Sequence, residues 1–175
     1  MEKIFFDENK SWQFDFSSSV WAIDKLHEIY SAVKDSLLSD VDFIVENQHE
    51  LLLIECKNAN FKGVNNPKDF TPIKKDSINK LARKYYDSLH FINGIGKNNG
   101  IKLTYVYVVE SYTSNITERK GIRNRLKDRL PFKLQRDNSF QNKLITDIKV
   151  LNLDEWNDCF PQFPATRLQY KLRDT

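Results

Sequence analysis

The stretch that decides the fold is SDVDFIVENQHELLLIECKN, Ser39–Asn58. Two short β-rich apolar runs, Val41–Val45 and Leu51–Cys56, flank the polar patch Asn47, Gln48, His49 and Glu50, the pattern of two strands joined by a tight turn. A turn centred between Gln48 and His49 pairs residues whose numbers sum to 97, so Asp42 faces Glu55 across the hairpin. Alternation puts Lys57 on the same face as Glu55, with Ile54 and Cys56 on the other. Directly opposed like charges cost a sheet a few tenths to about 1 kcal/mol, so a hairpin built for structure alone gains nothing from this pair. A divalent cation offsets that cost. Hard carboxylate oxygens suit Mg2+ or Mn2+, and a nearby ammonium can orient a water or neutralise charge on a phosphate. The bland alternative is a hairpin with its charges on a solvent face. Against it, Leu51–Ile54 is an unbroken apolar run, as expected of a strand buried on both faces, where a Glu and a Lys need a reason.

An acid on one strand and Glu-x-Lys on the next, here Asp42, Glu55 and Lys57 within VDFIV and LLLIECKN, resembles the PD-(D/E)xK nucleases of the restriction-endonuclease-like superfamily. Val41 stands where a proline often precedes the acid. The resemblance implies an α/β fold with a restriction-endonuclease-like core, a central mixed β-sheet flanked by helices. It implies a metal-dependent nuclease that hydrolyses phosphodiester bonds. Asp42, Glu55 and the backbone carbonyl of Cys56 would hold Mg2+ or Mn2+, and Lys57 would orient or deprotonate the attacking water, as base or as electrostatic clamp. Related sequences also place an acid in the helix before the first of these strands, and Asp24 and Glu28 both qualify. DNA is favoured over RNA by the resemblance alone. The competing reading is a non-catalytic nucleic-acid-binding or assembly module that keeps the fold without turnover.

Composition bounds the rest. With 175 residues, 40% of them hydrophobic, the chain suits one α/β domain over 1–175. A net charge of +3 is only a mild pointer to an anionic partner, so basic character has to be found locally. Two cysteines, Cys56 and Cys159, make neither a disulfide framework nor a C-x-x-C spacing, and His27, His49 and His90 form no zinc pattern. MEKIFFDENK lacks an apolar core of signal-peptide length and no apolar run approaches a membrane span, so the expectation is a soluble cytoplasmic protein, with homodimerisation left open.

Along the chain, Lys3–Phe6 and Trp12–Phe16 read as short strands around an Asp-Glu-Asn-Lys turn. Ser17, Ser18 and Ser19 offer caps for a helix over Val20–Ser36, with Ile23, Leu26, Tyr30, Val33 and Leu37 at helical spacing and Asp24 and Glu28 opposite. Ala59–Lys75 is a polar loop. A helix capped by Asp76 and Ser77 then carries Ile78, Leu81, Ala82, Tyr85, Leu89 and Ile92 to Asn93-Gly94. Its other side holds Lys80, Arg83 and Lys84, of which Lys80 and Lys84 are candidate phosphate contacts. Ile101–Glu110 is a further strand. The most basic segment, Thr117–Arg136, predicts an amphipathic helix whose Arg119, Lys120, Arg123 and Lys127 flank an apolar stripe and suit a nucleic-acid backbone, or else form a solvated face. Ile145–Leu153 predicts a strand, Asp154–Cys159 a short helix, and 160–175 a proline-punctuated tail.

Overall fold

A computed structural model of the chain describes residues 2–60, 70–112 and 114–168. Residues 61–69 of the predicted loop and 169–175 of the tail lie outside the described residues. The sheet grows from the hairpin: β4 (Phe43–Glu46) and β5 (Glu50–Asn58) pair antiparallel, with Phe43 opposite Ile54 and Glu46 opposite Leu51. Asn47 N–H donates to Glu50 O, closing the turn on Gln48 and His49 in the register expected from the sequence. Leu51, Leu52, Leu53 and Ile54 are all fully buried, so both faces of β5 are covered. Each such side chain is worth about 1.5–3 kcal/mol relative to exposure, and a one-residue slip would turn every one of them over.

The helix α2 (Lys75–Gly94) connects β5 to β6 (Lys102–Glu110), which lies parallel to β5, and β7 (Asp147–Leu151) lies parallel to β6. The strand, strand, helix, strand order is therefore present within an α/β architecture. The first helix is shorter than expected. Trp21–Ile23 forms β3 at the edge of the sheet instead, pairing with β4, and α1 spans only Leu26–Ser31. Aromatic and β-branched side chains on an edge ladder outcompete the helical period there, and Val33 and Leu37, which the helix would have buried, are exposed. The five-stranded mixed sheet has the order β3-β4-β5-β6-β7.

α2 and the helix after β6 cover one face, with Leu26 and Tyr30 of α1 buried beside them. In α2, Ile78, Leu81, Tyr85, Leu89 and Ile92 are buried, matching the predicted stripe. Lys74, with no side-chain cap bond, stands at its N-cap, while Asp76 sits in the first turn, where its charge favours the helix dipole. Lys97 N–H donates to Ile92 O and Gly96 N–H to Asn93 O, with Gly96 at φ 70°, a left-handed stop that glycine adopts without strain. Beside α2 lies α3 (Ile116–Arg129), capped by the Asn115 side chain accepting from Glu118 N–H. Gly121 on α3 leaves room for Ile73, just before α2, because a Cβ there would come within 2.8 Å of Ile73 Cδ1.

The opposite face packs on Leu153, Trp156 and Phe160, carried by or just after α4 (Leu153–Cys159), and on a three-stranded sheet. That second sheet joins β1 (Ile4–Phe6) and β2 (Trp12–Asp15) to β8 (Ala165–Arg167), a strand the sequence reading assigned to the tail. Among the described residues, no helix is long and apolar enough to cross a membrane.

Candidate functional site

Parallel strands present their carboxyl ends as one edge, the usual place for a site in an open α/β sheet. Here that edge holds the end of β5 and the residue before β4. A cleft of about 850 Å³ opens there, with Asp40, Asp42, Glu55, Lys57, Lys80 and Lys84 among its lining. Continuing the register by one pair sets Asp42 opposite Glu55, both on the face covered by α2.

Glu55 is 7% exposed. Lys84, reaching in from α2, donates to Glu55 Oε1 at 2.8 Å and Oε2 at 2.9 Å. Asp42 Oδ2 accepts from the Cys56 backbone N–H at 2.7 Å, so the carboxylate caps the hairpin ladder beyond its last strand pair. Burial pushes the Asp42 carboxyl up to about 6, against the opposing pull of Lys84 and of the Cys56 N–H. Burial and then the neighbouring Asp42 push Glu55 well above the usual carboxylate range, with Lys84 again opposing. For Lys84 itself burial disfavours the charge, but Glu55 and Asp42 outweigh it and hold the ammonium above its ordinary value. Asp40 adds repulsion to both Asp42 and Glu55. Three carboxylates thus share one embedded ammonium.

Lys57 also lines the cleft, but its Nζ lies 3.5 Å from Glu8 Oε2 in the turn between β1 and β2, with its side chain 40% exposed. The cation bonded to Glu55 is therefore the helix residue, and the strand residue of the Glu-x-Lys pattern is turned toward the cleft mouth. Of the two acids from the first helix, Asp24 lines the cleft from the turn that replaces the helix start, whereas Glu28 is exposed on α1 and is absent from the lining. Lys80, one helical turn before Lys84, is exposed on the same cleft.

The donor chemistry suits a hard cation. Among the described residues no group of three or more His, Cys, Asp or Glu side chains converges in metal-holding geometry. Magnesium does not require one: it is commonly held by one or two carboxylates and completes its shell with water and substrate oxygens. Asp42 and Glu55, opposite each other across the hairpin, could supply two such carboxylates, and Lys84 would have to share or release Glu55 for a cation to reach it.

No match to this chain is found among known protein families, characterised proteins or solved structures.

The basic segment departs from its expected role in part. Arg119 is buried, its Nη2 2.6 Å from Glu155 Oε1 and its Nη1 3.3 Å from Ser114 Oγ, so this guanidinium braces α3 against α4 and is not presented to a nucleic acid. Helical spacing placed it on the flank of the stripe, but Glu155, held in a capping box with Asn152, lies within its reach. Arg123 and Lys127 face the start of β7. Asp147 there pairs with Thr104, three residues before the Tyr107 that lies beside Glu55. These cations therefore stand roughly 10 Å back along the strands and two strands, about 10 Å, across from the carboxylates. Lys120 is exposed and lines neither cavity. Sequence reasoning missed Asp40, whose only signal was its position two residues before Asp42, and underestimated Lys84.

Proposed function

We propose that the chain is a metal-dependent phosphodiesterase acting on nucleic acid, a nuclease with a restriction-endonuclease-like core and with DNA as its expected substrate. One observation carries the reading: Asp42, just before β4, and Glu55, on β5, face each other in a cleft at the carboxyl edge, where burial and repulsion by neighbouring acids raise both carboxyls despite Lys84. A fold gains no stability from such a cluster, which is the pattern expected of a binding or catalytic centre. Asp42, Glu55 and the Cys56 carbonyl are the residues that would hold Mg2+ or Mn2+, and the ion would supply an activated water and charge stabilisation at the scissile phosphate. The Cys56 N–H fixes Asp42 in orientation. Lys84 opposes the rise that burial and Asp42 impose on the Glu55 carboxyl. Lys57, less confined, is free to swing from Glu8 toward a phosphate or water, and Lys80 lies on the rim where a backbone would pass.

The alternative, a nucleic-acid-binding or assembly module without turnover, draws on the same Lys84: a carboxylate already paired through both oxygens has less need of a metal. Incubation with single-stranded, double-stranded and branched DNA and RNA, with Mg2+ or with chelator, separates the two. The nuclease reading expects cleavage that chelator abolishes and that Asp42→Asn or Glu55→Gln removes. Retained binding with no cleavage under any metal would leave the binding module standing.

A further inference from the structure

A second cavity, about 370 Å³, lies at the far edge of the sheet between the C-terminal half of α3, the segment after it and the start of β7. It shares no lining residue with the carboxylate cleft. Arg123, Lys127, Arg136 and Lys143 line it against one acid in the lining, Asp147, and Phe132 supplies an aromatic surface. Four cations against one carboxylate leave three positive charges in excess around a concavity, which focuses the field within it.

This wall is built rather than loose. Arg123 Nε donates to Ile148 O at 2.7 Å and its Nη2 to Asp147 Oδ1 at 3.2 Å. Those bonds commit two of its five N–H donors and fix the plane of the guanidinium. Lys127 Nζ stands 5.9 Å from the centre of the Phe132 ring, so cation and aromatic face are adjacent. Gln135 ties the segment bearing Arg136 to the one bearing Lys143: its Oε1 accepts from Leu144 N–H at 2.8 Å and Ile145 N–H at 2.9 Å, and its Nε2 donates to Ile145 O at 2.9 Å. Asp147 is also 3.6 Å from Lys149, so its charge is divided between two cations and leaves most of the excess for a ligand.

The volume falls in the range of small-molecule sites, ~300–1,000 Å³, and exceeds what a bare phosphate fills. A phosphomonoester dianion answers the charge better than a backbone diester with its single charge, and a fixed guanidinium matches phosphate geometry. A planar base can stack on the part of the half-buried Phe132 ring that lines the cavity. We propose that this pocket binds the phosphomonoester of a nucleotide, with Arg123, Lys127 and Lys143 around the phosphate and Phe132 against the base. The ligand is either a free nucleoside monophosphate or the 5′-phosphorylated end of a strand. The proposal does not depend on the chemistry of the cleft.

The test is calorimetric titration of the full chain, in chelator so that no metal occupies the cleft, with AMP, adenosine and inorganic phosphate. The same titrations are run on Arg136→Glu/Lys143→Glu, two exposed positions outside the bonds that hold the wall. Lys143→Gln serves as a milder variant should the double reversal melt early. AMP should bind more tightly than about 1 mM, at least about tenfold more weakly to the double variant and measurably more weakly to Lys143→Gln, while adenosine should not bind. Absent AMP binding, unchanged binding in the folded variants, adenosine binding like AMP, or inorganic phosphate binding as tightly as AMP would each overturn the assignment. A second arm compares 5′-phosphorylated with 5′-hydroxyl oligonucleotides. A preference for the phosphorylated strand supports the pocket as a strand-end site, and AMP binding without that preference supports it as a free-nucleotide site.

Discussion

Lys84 Nζ lies within 2.9 Å of both carboxylate oxygens of Glu55, so a cation carried by α2 grips an acid carried by the central strand β5. The bond joins the covering helix to the sheet through charge, beside the neutral contact in which the Tyr105 hydroxyl of β6 donates to Leu81 O of α2. Lys84→Ala should therefore act on stability as well as on chemistry. With the ammonium gone, its opposition to burial and Asp42 is lost, and the Glu55 carboxyl rises further. The held-up pKa of Lys84 represents stability present at neutral pH and lost only as pH rises through its raised folded value. We expect a loss of about 2 kcal/mol at pH 8, below the 3–5 of a fully buried pair because the lysine side chain is about a third exposed. The loss should be smaller at pH 5, where Glu55 is closer to neutral without help. Lys57→Ala, whose partner is an exposed glutamate, should leave the melting temperature within a degree or two and remove cleavage instead. Equal destabilisation by both variants in thermal melts would refute the division of labour.

Asp42→Asn should make the protein more stable. The Asp42 carboxyl titrates near 6 in the folded chain against an ordinary value of 3.8. Between those values the folded state holds a proton that the unfolded chain has released, so stability falls as pH rises through that window and stays lower above it. Asparagine keeps an acceptor for the Cys56 N–H and removes the charge. The expected gain is about 2 kcal/mol at pH 8, vanishing near pH 4. Mg2+ should raise the melting temperature of the unaltered chain at pH 8 and not that of the variant. Melts at the two pH values, with and without metal, check both statements, and a variant less stable at pH 8 would contradict the charge assignment.

Arg119→Ala should be a stability variant and nothing else. The change leaves Glu155 without its buried partner and removes a brace between α3 and α4. A cost of about 3 kcal/mol is expected, read as a lower urea midpoint with an unchanged slope. Nucleic-acid affinity of the folded variant should match that of the parent. A weakened affinity with normal stability would return Arg119 to the interface.

Much of this was legible in the chain because the informative features were local. The β4–β5 register followed from turn position and strict alternation, both properties of twenty contiguous residues, and the apolar run Leu51–Ile54 announced a strand covered on both faces. The α2 stripe was legible for the same reason, its buried set recurring at helical spacing. What failed was decided by partners distant in sequence. Trp21–Ile23 became a strand because β4 offered an unpaired edge, and Ala165–Arg167 joined β2 across most of the chain length. Arg119 looked like its basic neighbours until Glu155 was brought to it by α4. At the site, alternation correctly placed Glu55 and Lys57 on one face. It could not rank Lys57 against Lys84, since the packing of α2 over β5 decides which ammonium reaches the carboxylate.

Lys80 offers the cleanest test of where a nucleic-acid backbone would run. It is exposed in the cleft, one helical turn from Lys84, and in contrast to Lys84 its removal leaves no buried charge behind. Under the nuclease reading a strand entering the cleft passes this rim, and the ammonium displaces a condensed counterion from one phosphate. Lys80→Ala should then reduce the slope of log affinity against log salt by about 0.9 on duplex or about 0.7 on single-stranded substrate. Cleavage at saturating substrate should survive, because the residue binds the backbone and does not touch the carboxylates' own bonds. Lys120→Ala, an exposed cation on α3 outside both cavities, is the matched control and should leave the slope unaltered. Binding measured across a salt series, in chelator to prevent turnover, reads both variants directly. A flattened slope for Lys120→Ala and none for Lys80→Ala would move the backbone path from the cleft to the basic helix. Equal slopes for all three proteins would mean that neither lysine meets a phosphate.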